Sequence, residues 1–380
     1  MNASVAPSRL APAAADAAAL PVSDRPSRAV IDLDALRHNY RLARQRHGGR
    51  AFATVKADAY GHGAVPCAQA LAGEADGFAV AFLAEAHPLR AAGLTQPILI
   101  LEGCFSAAEL VAAHALGCWV VVHHEAQLRA VEAHPELTGL NVWLKVDSGM
   151  HRAGFAPAEV REVHRRLSAC PQVAKITLMT HFARADEPDS PATAEQIACF
   201  EAATAGLPGE RSLANSAGVL AWPAARGDWA RPGIVLYGAD PLPVPDPALR
   251  AVMTLESEVF AVRDLQPGDP LGYGARFVAD APCRVGLVAI GYADGYPRVV
   301  PTGTPVLVGE HASRIVGRVS MDMLTVDLTA LPGEGIGSRV ELWGPRVPIN
   351  TIAAAAGTIS YELLCHVRRV PRVYVDGAAA

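Results

Sequence analysis

The sequence predicts an α/β protein in which a closed (β/α)8 barrel is followed by a mainly β C-terminal domain. Between residues 50 and 238, eight short apolar runs alternate with longer stretches of helical periodicity. Continuous apolar strands of this kind are typical of a parallel sheet that is buried on both faces. After about Pro245 the pattern changes to β-branched segments separated by Gly and Pro turns. A chain of 380 residues is also long for a single core, so two domains are expected.

Residues 28–245 are predicted to form the barrel. Eight runs are predicted as strands: 51–55, 78–81, 98–101, 119–122, 141–146, 176–180, 212–214 and 234–237. Apolar residues at three- and four-residue spacing predict amphipathic helices between them at 64–72, 83–92, 125–132, 157–167 and 192–205. An open doubly wound sheet would show a similar alternation, but eight strands are the number that closes a barrel.

Residues 246–380 are predicted to form the second domain, with the boundary in the Pro-rich stretch 241–247. Strands are expected at 252–262, 283–291, 305–308, 314–319, 323–328 and 339–342, and helices only at 352–356 and 361–366. A strand-like segment at 27–33 precedes a predicted helix at 34–46. We expect that segment to pair with the C-terminal domain, because terminal strands often return to a sheet edge.

Composition and charge exclude several functional classes. The formal net charge is -5, with no basic cluster of the kind that binds nucleic acid. No apolar run approaches the roughly 18 residues that a membrane span needs. Residues 1–27 are rich in Ala, Pro and Ser without the pattern of a secretory signal, which predicts a flexible tail. The seven scattered cysteines form no C-x-x-C pair, which predicts neither disulfides nor a metal site and favours the reducing cytoplasm.

Lysine is rare in this chain and is therefore a candidate for chemistry. Of 33 basic residues only Lys56, Lys145 and Lys175 are lysines. A primary amine can lose its proton and form a Schiff base or a carbamate, which a guanidinium does not do. Lys56 directly follows the first predicted barrel strand, at the end where barrel enzymes carry their reactive residues. A strand-end lysine is more often a surface residue, so the surrounding motif has to decide.

The segment V-K-A-D-A-Y-G-H-G at 55–63 resembles the cofactor-lysine segment of the alanine racemases, a family of fold-type III pyridoxal phosphate enzymes. The resemblance extends from about Ile31 to Val375. It is carried by V-D-S-G-M-H-R at 146–152, T-H-F at 180–182, A-N-S-A at 214–217, R-P-G-I-V-L-Y-G at 231–238, G-Y-G-A-R-F at 272–277, G-Y-A-D-G-Y at 291–296, S-M-D at 320–322 and I-S-Y-E at 359–362.

The resemblance implies two catalytic bases and a set of cofactor-binding residues. Lys56 would carry pyridoxal 5'-phosphate as a Schiff base and act on one face of the substrate carbon, and Tyr273 on the opposite face. Arg231 would face the pyridine nitrogen, and Arg152 the phenolic oxygen. The phosphate would be held by Tyr60, Ser216, the backbone amides of Gly233 and Ile234, and Tyr361, with His181 and Asn215 flanking the ring.

The resemblance also implies a substrate site that two subunits share. Arg152 and the Met321 amide would bind the substrate carboxylate beside Asp322, and Tyr292 would narrow the entrance. Because Tyr273, Tyr292, Met321 and Asp322 would come from the partner subunit, a homodimer is expected. Lys145 occupies the position of a lysine that the family often carbamylates to clamp the arginine equivalent to Arg152. Ser212 replaces a histidine of some family members, which implies a weaker or water-mediated contact with Arg231.

The resemblance implies an alanine racemase that interconverts L-alanine and D-alanine, for cell-wall peptidoglycan or for alanine catabolism. Three alternatives remain open at this point. A racemase of broader specificity differs from it by few loop side chains. A non-catalytic pyridoxal phosphate carrier would resemble the barrel alone, and a decarboxylase of the same architecture would carry a different second-domain pattern, which this sequence lacks.

Overall fold

A computed structural model describes residues 24–377, so most of the predicted tail at 1–27 lies outside the described residues. Residues 24–27 lie against the second domain, where the Arg25 guanidinium donates to the Asp294 carboxylate at 2.8 Å. Within residues 24–377 no helix is long and apolar enough to cross a bilayer. In the same range no group of three or more His, Cys, Asp or Glu side chains is placed to hold a metal ion.

The first described strand, β1 (Arg28–Asp32), belongs to the second sheet rather than to the barrel. The barrel strands follow in sequence: β2 (Arg50–Thr54), β3 (Gly77–Val80), β4 (Ile98–Ile100), β5 (Cys118–Val122), β6 (Leu140–Lys145), β7 (Val173–Met179), β8 (Glu210–Ser212) and β9 (Trp229–Ala230). Neighbouring strands pair in parallel from β2 to β8, and β9 pairs with β2. Backbone bonds from Asp228 N to Arg211 O and from Arg231 N to Ala214 O, both 2.9 Å, join the last two strands. The predicted fold class is therefore confirmed.

The predicted eighth strand at 234–237 is wrong. These residues form a short 3-10 helix, Ile234–Tyr237, and the strand that closes the barrel is the two-residue β9 just before it. Gly233, with φ -124° and ψ -87°, turns the chain between the two. The Ile-Val-Leu-Tyr run is fully buried in either conformation, and a short apolar run does not distinguish a buried strand from a buried helical turn.

Helices cover the outside of the barrel and one part of the second domain. They are α1 (Leu33–His47), α2 (Lys56–Tyr60), α3 (Ala64–Leu71), α4 (Leu83–Ala91), α5 (Ala107–Ala115), α6 (Glu125–Glu132), α7 (Val160–Ala169), α8 (Ala192–Thr204), α9 (Ser216–Ala221), α10 (Ile349–Ala356) and α11 (Ser360–His366). Helix α5 was not predicted, although Ser106 caps it by accepting from the Glu109 amide at 3.2 Å. Its alanine-rich sequence gives only a weak apolar period.

The barrel interior is closed below the site by aromatic side chains. Phe52 stacks on Trp229 with ring centroids 4.5 Å apart and meets Trp143 edge-on at 5.4 Å. These three side chains are fully buried, and Met179 packs in the same cluster. The barrel is thus a packed core rather than a pore, and space for a ligand remains only towards the carboxyl ends of the strands.

The second domain is built on a mainly antiparallel sheet around the long strand β10 (Met253–Leu265). The further strands are β11 (Pro270–Leu271), β12 (Phe277–Val278), β13 (Cys283–Val288), β14 (Pro305–Val308), β15 (His311–Arg314), β16 (Leu324–Asp327), β17 (Arg339–Trp343) and β18 (Arg372–Val375). Strand β1 pairs with β10 and β18, which confirms the expected return of the N-terminal strand. The predicted strand at 314–319 is wrong: β15 ends at Arg314, and the chain turns at Gly317 with φ 75°.

A network of charges at the amino ends of the barrel strands suggests a first test. Glu210 accepts hydrogen bonds from Arg50 at 2.5 Å and Trp229 at 2.6 Å and pairs with Lys175 at 2.7 Å. Burial works to raise the pKa of Glu210, but these donors outweigh it and lower the pKa to about 2. Because the pKa of Glu210 is lower in the folded chain than in the unfolded chain, its ionised form stabilises the fold at pH values above about 4.3, the unfolded pKa. This stabilisation is lost as the pH falls towards 2.

We therefore expect Glu210→Gln to lower the apparent Tm at pH 7 by about 4 °C, which corresponds to roughly 2 kcal/mol. The difference in Tm between Glu210→Gln and wild type should stay constant down to about pH 5 and become smaller below that pH. Thermal denaturation followed by circular dichroism between pH 7 and pH 4 measures both. Glu162→Gln is the control, because its pair with Arg165 is exposed on both sides and should change Tm little. Equal effects of the two variants would contradict the prediction.

Candidate active site

A cavity with a volume of about 380 Å³ opens at the carboxyl ends of the barrel strands. It brings together these residues that the sequence had singled out: Lys56, Tyr60, Lys145, Arg152, His181, Asn215, Ser216, Arg231, Gly233, Ile234 and Tyr361. All but Tyr361 come from the barrel, and Tyr361 comes from α11 in the second domain. The volume is in the range of cavities that hold cofactors and small substrates.

Lys56 leads into a turn of left-handed helix. Ala57, Asp58, Ala59 and Tyr60 have φ between 52° and 55°. Each non-glycine residue in this region costs about 1 kcal/mol or more, because its Cβ crowds the following carbonyl oxygen. Inside the turn the imidazole Nδ1 of His62 lies 2.9 Å from the Ala59 carbonyl oxygen and 3.0 Å from that of Tyr60. The turn places the side chains of Lys56 and Tyr60 on the same cavity.

One corner of the cavity is suited to an anion. The Ser216 hydroxyl, in the first turn of α9, accepts from the Gly233 amide at 2.8 Å. A Cβ at position 233 would lie 2.4 Å from the Tyr60 hydroxyl, so only glycine leaves this space open. The nearby Thr54 hydroxyl is buried without a hydrogen-bond partner. Hydroxyl groups and backbone amides that converge on a helix start are the usual cradle of a phosphate group.

The floor of the cavity is formed by Arg231. Its guanidinium donates to the carbonyl oxygens of Ser212 at 2.9 Å, Thr180 at 2.5 Å and Leu213 at 3.2 Å. It also donates to the Ser212 hydroxyl, so the contact expected to be weak or water-mediated is a direct hydrogen bond. The Ser212 hydroxyl is oriented towards Arg231 because it donates its own hydrogen bond to the Trp229 carbonyl oxygen at 2.8 Å. Burial lowers the pKa of Arg231 to about 10, which leaves it charged at neutral pH.

Two more basic groups and a histidine complete one side of the cavity. Burial lowers the pKa of Lys145 to about 8; Glu102 opposes this shift, whereas Arg231 and Arg152 add to it. Burial, and then the same cations, hold the pKa of His181 well below its usual range, so its imidazole is neutral. Arg152 is exposed and lines the cavity from the loop after β6. Its guanidinium is thus available to a ligand.

Four residues that the sequence placed at the site do not line this cavity. Tyr273, Tyr292, Met321 and Asp322 all belong to the second domain. Tyr273, at the tip of the β11–β12 hairpin, is 67% exposed, Met321 53% and Tyr292 37%. The loop that carries Tyr292 is hydrogen-bonded to the loop that carries Met321 and Asp322. Tyr292 N donates to Ser320 O and Ala293 N donates to Met321 O, both at 3.0 Å. A single chain therefore contains both parts of the expected site, but separates them.

Sequence reasoning missed several residues of the cavity wall: Thr54, Ala57, Leu101, Glu102, Met179 and Cys365. Thr54, Glu102 and Met179 lie at the ends of predicted strands, where the strand-end rule could have indicated them. Cys365 lies four residues after Tyr361 on α11, so helical spacing places it on the same face. Burial raises the pKa of the Cys365 thiol.

Positive charge prevails in the cavity. Lys56, Lys145, Arg152 and Arg231 line it, and Glu102 is the one acidic residue among the described lining residues. A cationic, partly desolvated pocket at this end of a barrel binds anionic groups such as phosphate and carboxylate. Together with the accessible lysine amine, this defines a lysine-bearing barrel enzyme with an appended β domain.

Comparison with known proteins then identifies the family. Residues 31–241 match the family model of the alanine racemase N-terminal domain, and residues 252–374 that of the C-terminal domain. The chain is 68% identical to the alanine racemase of Azoarcus sp. (strain BH72) over 91% of its own length and 98% of that protein. The chain belongs to the alanine racemase family.

Solved structures agree with this assignment. The biosynthetic alanine racemase of Pseudomonas aeruginosa superimposes with a TM-score of 0.90 at 49% identity, over 93% of this chain and 100% of that one. The alanine racemase of Bartonella henselae, solved with covalently bound pyridoxal phosphate, superimposes with a TM-score of 0.84 at 30% identity, over 92% and 99% of the two chains.

The left-handed turn gives a second testable prediction. Ala57 is exposed at its start, so Ala57→Gly should raise the free energy of unfolding by roughly 0.5–1 kcal/mol, because glycine adopts this φ without strain. Ala354→Gly, at an exposed position of the right-handed helix α10, should lower it by a similar amount. Urea denaturation of both variants and wild type measures the difference. A destabilised Ala57→Gly would contradict the left-handed conformation.

Proposed function

We propose that this chain interconverts L-alanine and D-alanine with pyridoxal 5'-phosphate bound at Lys56, as a cytoplasmic homodimer with shared active sites. The observation that carries the proposal is the separation of the two expected bases. Lys56 lies in the cationic cavity, whereas Tyr273 is exposed outside it on the second domain. A second copy of the chain would supply the missing half. The seven free cysteines favour a reducing compartment.

The cavity fits the cofactor in charge and in shape. The phosphate would lie in the space that Gly233 leaves open and would be held by Ser216, Tyr60 and Tyr361. Arg231 would face the heterocyclic nitrogen. When bound, the cofactor draws electrons away from the substrate carbon and makes its proton removable. Because Arg231 donates its hydrogen bonds to carbonyl and hydroxyl oxygens and keeps its charge, it would leave the nitrogen unprotonated.

Inversion requires that a proton leave one face of the substrate carbon and that another arrive on the opposite face. In the proposed dimer, Lys56 Nζ holds or takes the proton on one face and the partner subunit's Tyr273 Oη on the other. Two fixed groups need only small motions, whereas a single base would have to cross the plane of the bound substrate. Each turnover exchanges the protonation states of the two groups, and either proton exchange with solvent or a turnover in the reverse direction restores them.

The remaining residues would bind and select the substrate. Arg152 would pair with the alanine carboxylate, together with the backbone amide of Met321 from the second copy, and Asp322 of that copy would lie beside them. Tyr292 would narrow the entrance and exclude side chains larger than a methyl group. Because L-alanine and D-alanine have the same free energy in water, the same site serves synthesis and breakdown of D-alanine, and concentrations in the cell decide the direction.

The shared site is tested by mixing two inactive variants. Lys56→Ala and Tyr273→Ala homodimers should each lose alanine racemisation, and Lys56→Ala should also lose the chromophore that borohydride reduces. A heterodimer has one intact site, formed by the Lys56 of one chain and the Tyr273 of the other. Co-expression at equal amounts should therefore restore about a quarter of the wild-type activity.

Two outcomes would overturn the proposal. Absence of recovery in a heterodimer whose assembly is verified by two affinity tags would place both bases in one chain. Racemisation of serine, lysine or arginine at rates comparable to alanine would favour the broad-specificity alternative. A mixture of Lys56→Ala with the double variant that carries both substitutions is the matched control, since no intact site can form in it.

We further propose that Lys145 is carbamylated and clamps Arg152. Carbon dioxide reacts with a neutral amine, and burial lowers the pKa of Lys145 to about 8, so roughly a tenth of the amine is neutral at pH 7, far more than for an unshifted lysine. The nitrogen forms a bond to the carbon of carbon dioxide, and one proton leaves to solvent. The resulting carboxylate would face Arg152 among cations that stabilise it.

Carbon-13 NMR tests this modification. Protein equilibrated with labelled bicarbonate should give a carbamate carbonyl signal that disappears on acidification and is absent in Lys145→Arg. Lys175→Arg is the matched control, because Lys175 is half-exposed and paired with Glu210. A wild-type spectrum identical to that of Lys145→Arg would sink the carbamate hypothesis and leave Lys145 as a free amine.

A further inference from the structure

The segment that carries Lys56 is contacted by the C-terminal end of the same chain. We call residues 56–63 the lysine turn. Its residues Ala57 to Tyr60 are left-handed, and Gly61 and Gly63 also have positive φ. Hydrogen bonds inside the lysine turn, such as Gly61 N to Ala57 O at 3.1 Å and Gly63 N to Asp58 O at 2.9 Å, stabilise it locally. Because L-residues disfavour this conformation, contacts from outside contribute to holding it.

Strand β18 provides two such contacts. The Tyr374 hydroxyl donates to the His62 carbonyl oxygen at 3.0 Å. The Arg372 guanidinium lies 2.7 Å from the Asp58 carboxylate. Asp58 in turn accepts from the Ala64 amide at 2.7 Å, where α3 begins. The two side chains therefore contact the lysine turn near its start and near its end.

The second domain packs closely against the two glycines of the lysine turn. A Cβ at Gly63 would lie 2.1 Å from the Tyr374 hydroxyl, and a Cβ at Gly61 would lie 2.1 Å from the Leu364 carbonyl oxygen of α11. Tyr374 is itself fixed, because β18 pairs in parallel with β1 and places Tyr374 opposite Ile31. The second domain thus lies in close contact with the lysine turn at both glycines.

We propose that Tyr374 and Arg372 are positioning residues for Lys56: from the second domain of the same chain, they hold the lysine turn in its left-handed conformation. Lys56 begins the turn and Tyr60 ends the left-handed residues, so a change of conformation would move both side chains within the cavity. Neither Tyr374 nor Arg372 lines the cavity, so they act through the lysine turn. The inference rests on the proposed role of Lys56 as the cofactor lysine.

Tyr374→Phe removes the hydroxyl and leaves the ring. We expect amide hydrogen exchange at residues 57–63 of the cofactor-free full chain to accelerate about fivefold or more, as for the loss of one hydrogen bond. The dissociation constant for pyridoxal 5'-phosphate should rise by about the same factor. At saturating cofactor, kcat and the visible circular dichroism of the bound cofactor should also change, which a loss of global stability alone does not cause.

Tyr40→Phe is the matched control. The Tyr40 hydroxyl donates to the Ala51 carbonyl oxygen at 2.8 Å, the same kind of bond outside the lysine turn, and it also accepts from the Asp76 amide at 3.0 Å, so this variant loses at least as much hydrogen bonding as Tyr374→Phe. This variant should lower Tm and leave the exchange of residues 57–63, the cofactor affinity and the visible circular dichroism unchanged. If Tyr374→Phe behaves like this control, the proposal is wrong.

A double-mutant cycle provides a test that does not depend on Tyr374. Arg372→Met keeps the aliphatic stem, and Asp58→Asn keeps an acceptor for the Ala64 amide. If the pair positions the turn, the two single variants weaken cofactor binding and the double variant weakens it no further than either alone; additive effects would contradict a direct contact. A wild-type chain that binds no cofactor would overturn the proposed function instead, and the exchange measurement on the lysine turn would still decide the role of Tyr374.

Discussion

The active site depends on a buried guanidinium that is solvated by backbone carbonyl groups. Within residues 24–377, Arg231 donates no hydrogen bond to a carboxylate; its acceptors are the carbonyl oxygens of Thr180, Ser212 and Leu213 and the Ser212 hydroxyl. In a parallel barrel the carbonyl groups at the carboxyl ends of β7 and β8 point out of the same face. They can stabilise the cation without neutralising it, so a full positive charge remains at the cavity floor.

The other charges of the site follow from that arrangement. A cation held by dipoles keeps its field in the cavity, and together with Lys56 and Arg152 it makes the cavity attractive to two anionic groups at once. The same field disfavours further protonation, which is why Lys145 and His181 have lowered pKa values in addition to the effect of burial. A lysine with a lowered pKa and a histidine with a lowered pKa thus lie beside guanidinium groups in one pocket.

The sequence predicted the barrel strands and the main cavity residues well where these are marked by local apolar runs or by short motifs. The apolar runs indicated seven of the eight barrel strands, and the motifs indicated Lys56, Arg152 and Arg231, all of which line the cavity. It failed where conformation is decided by non-local packing. The Ile234–Tyr237 run is buried as a 3-10 helix because β9 already closes the barrel, and no local periodicity records that. Thr54 and Glu102 lie at strand ends, as the strand-end rule allows, but a single sequence does not specify which of the side chains at a strand end face the cavity.

The left-handed turn after Lys56 shows why local propensity does not predict every part of the site. Ala-Asp-Ala-Tyr is an ordinary right-handed sequence by propensity, and of its four residues only Asp58 belongs to a type that adopts positive φ more often than most. The conformation is compatible with its surroundings because Gly61 and Gly63 admit the Leu364 carbonyl and the Tyr374 hydroxyl at distances that a side chain would block. The hand of the turn is therefore a property of two domains packed together. With Lys56 as the proposed cofactor lysine, the orientation of its amine would depend on contacts from Leu364 and Tyr374, more than 300 positions away in the chain, and so on the integrity of the domain interface.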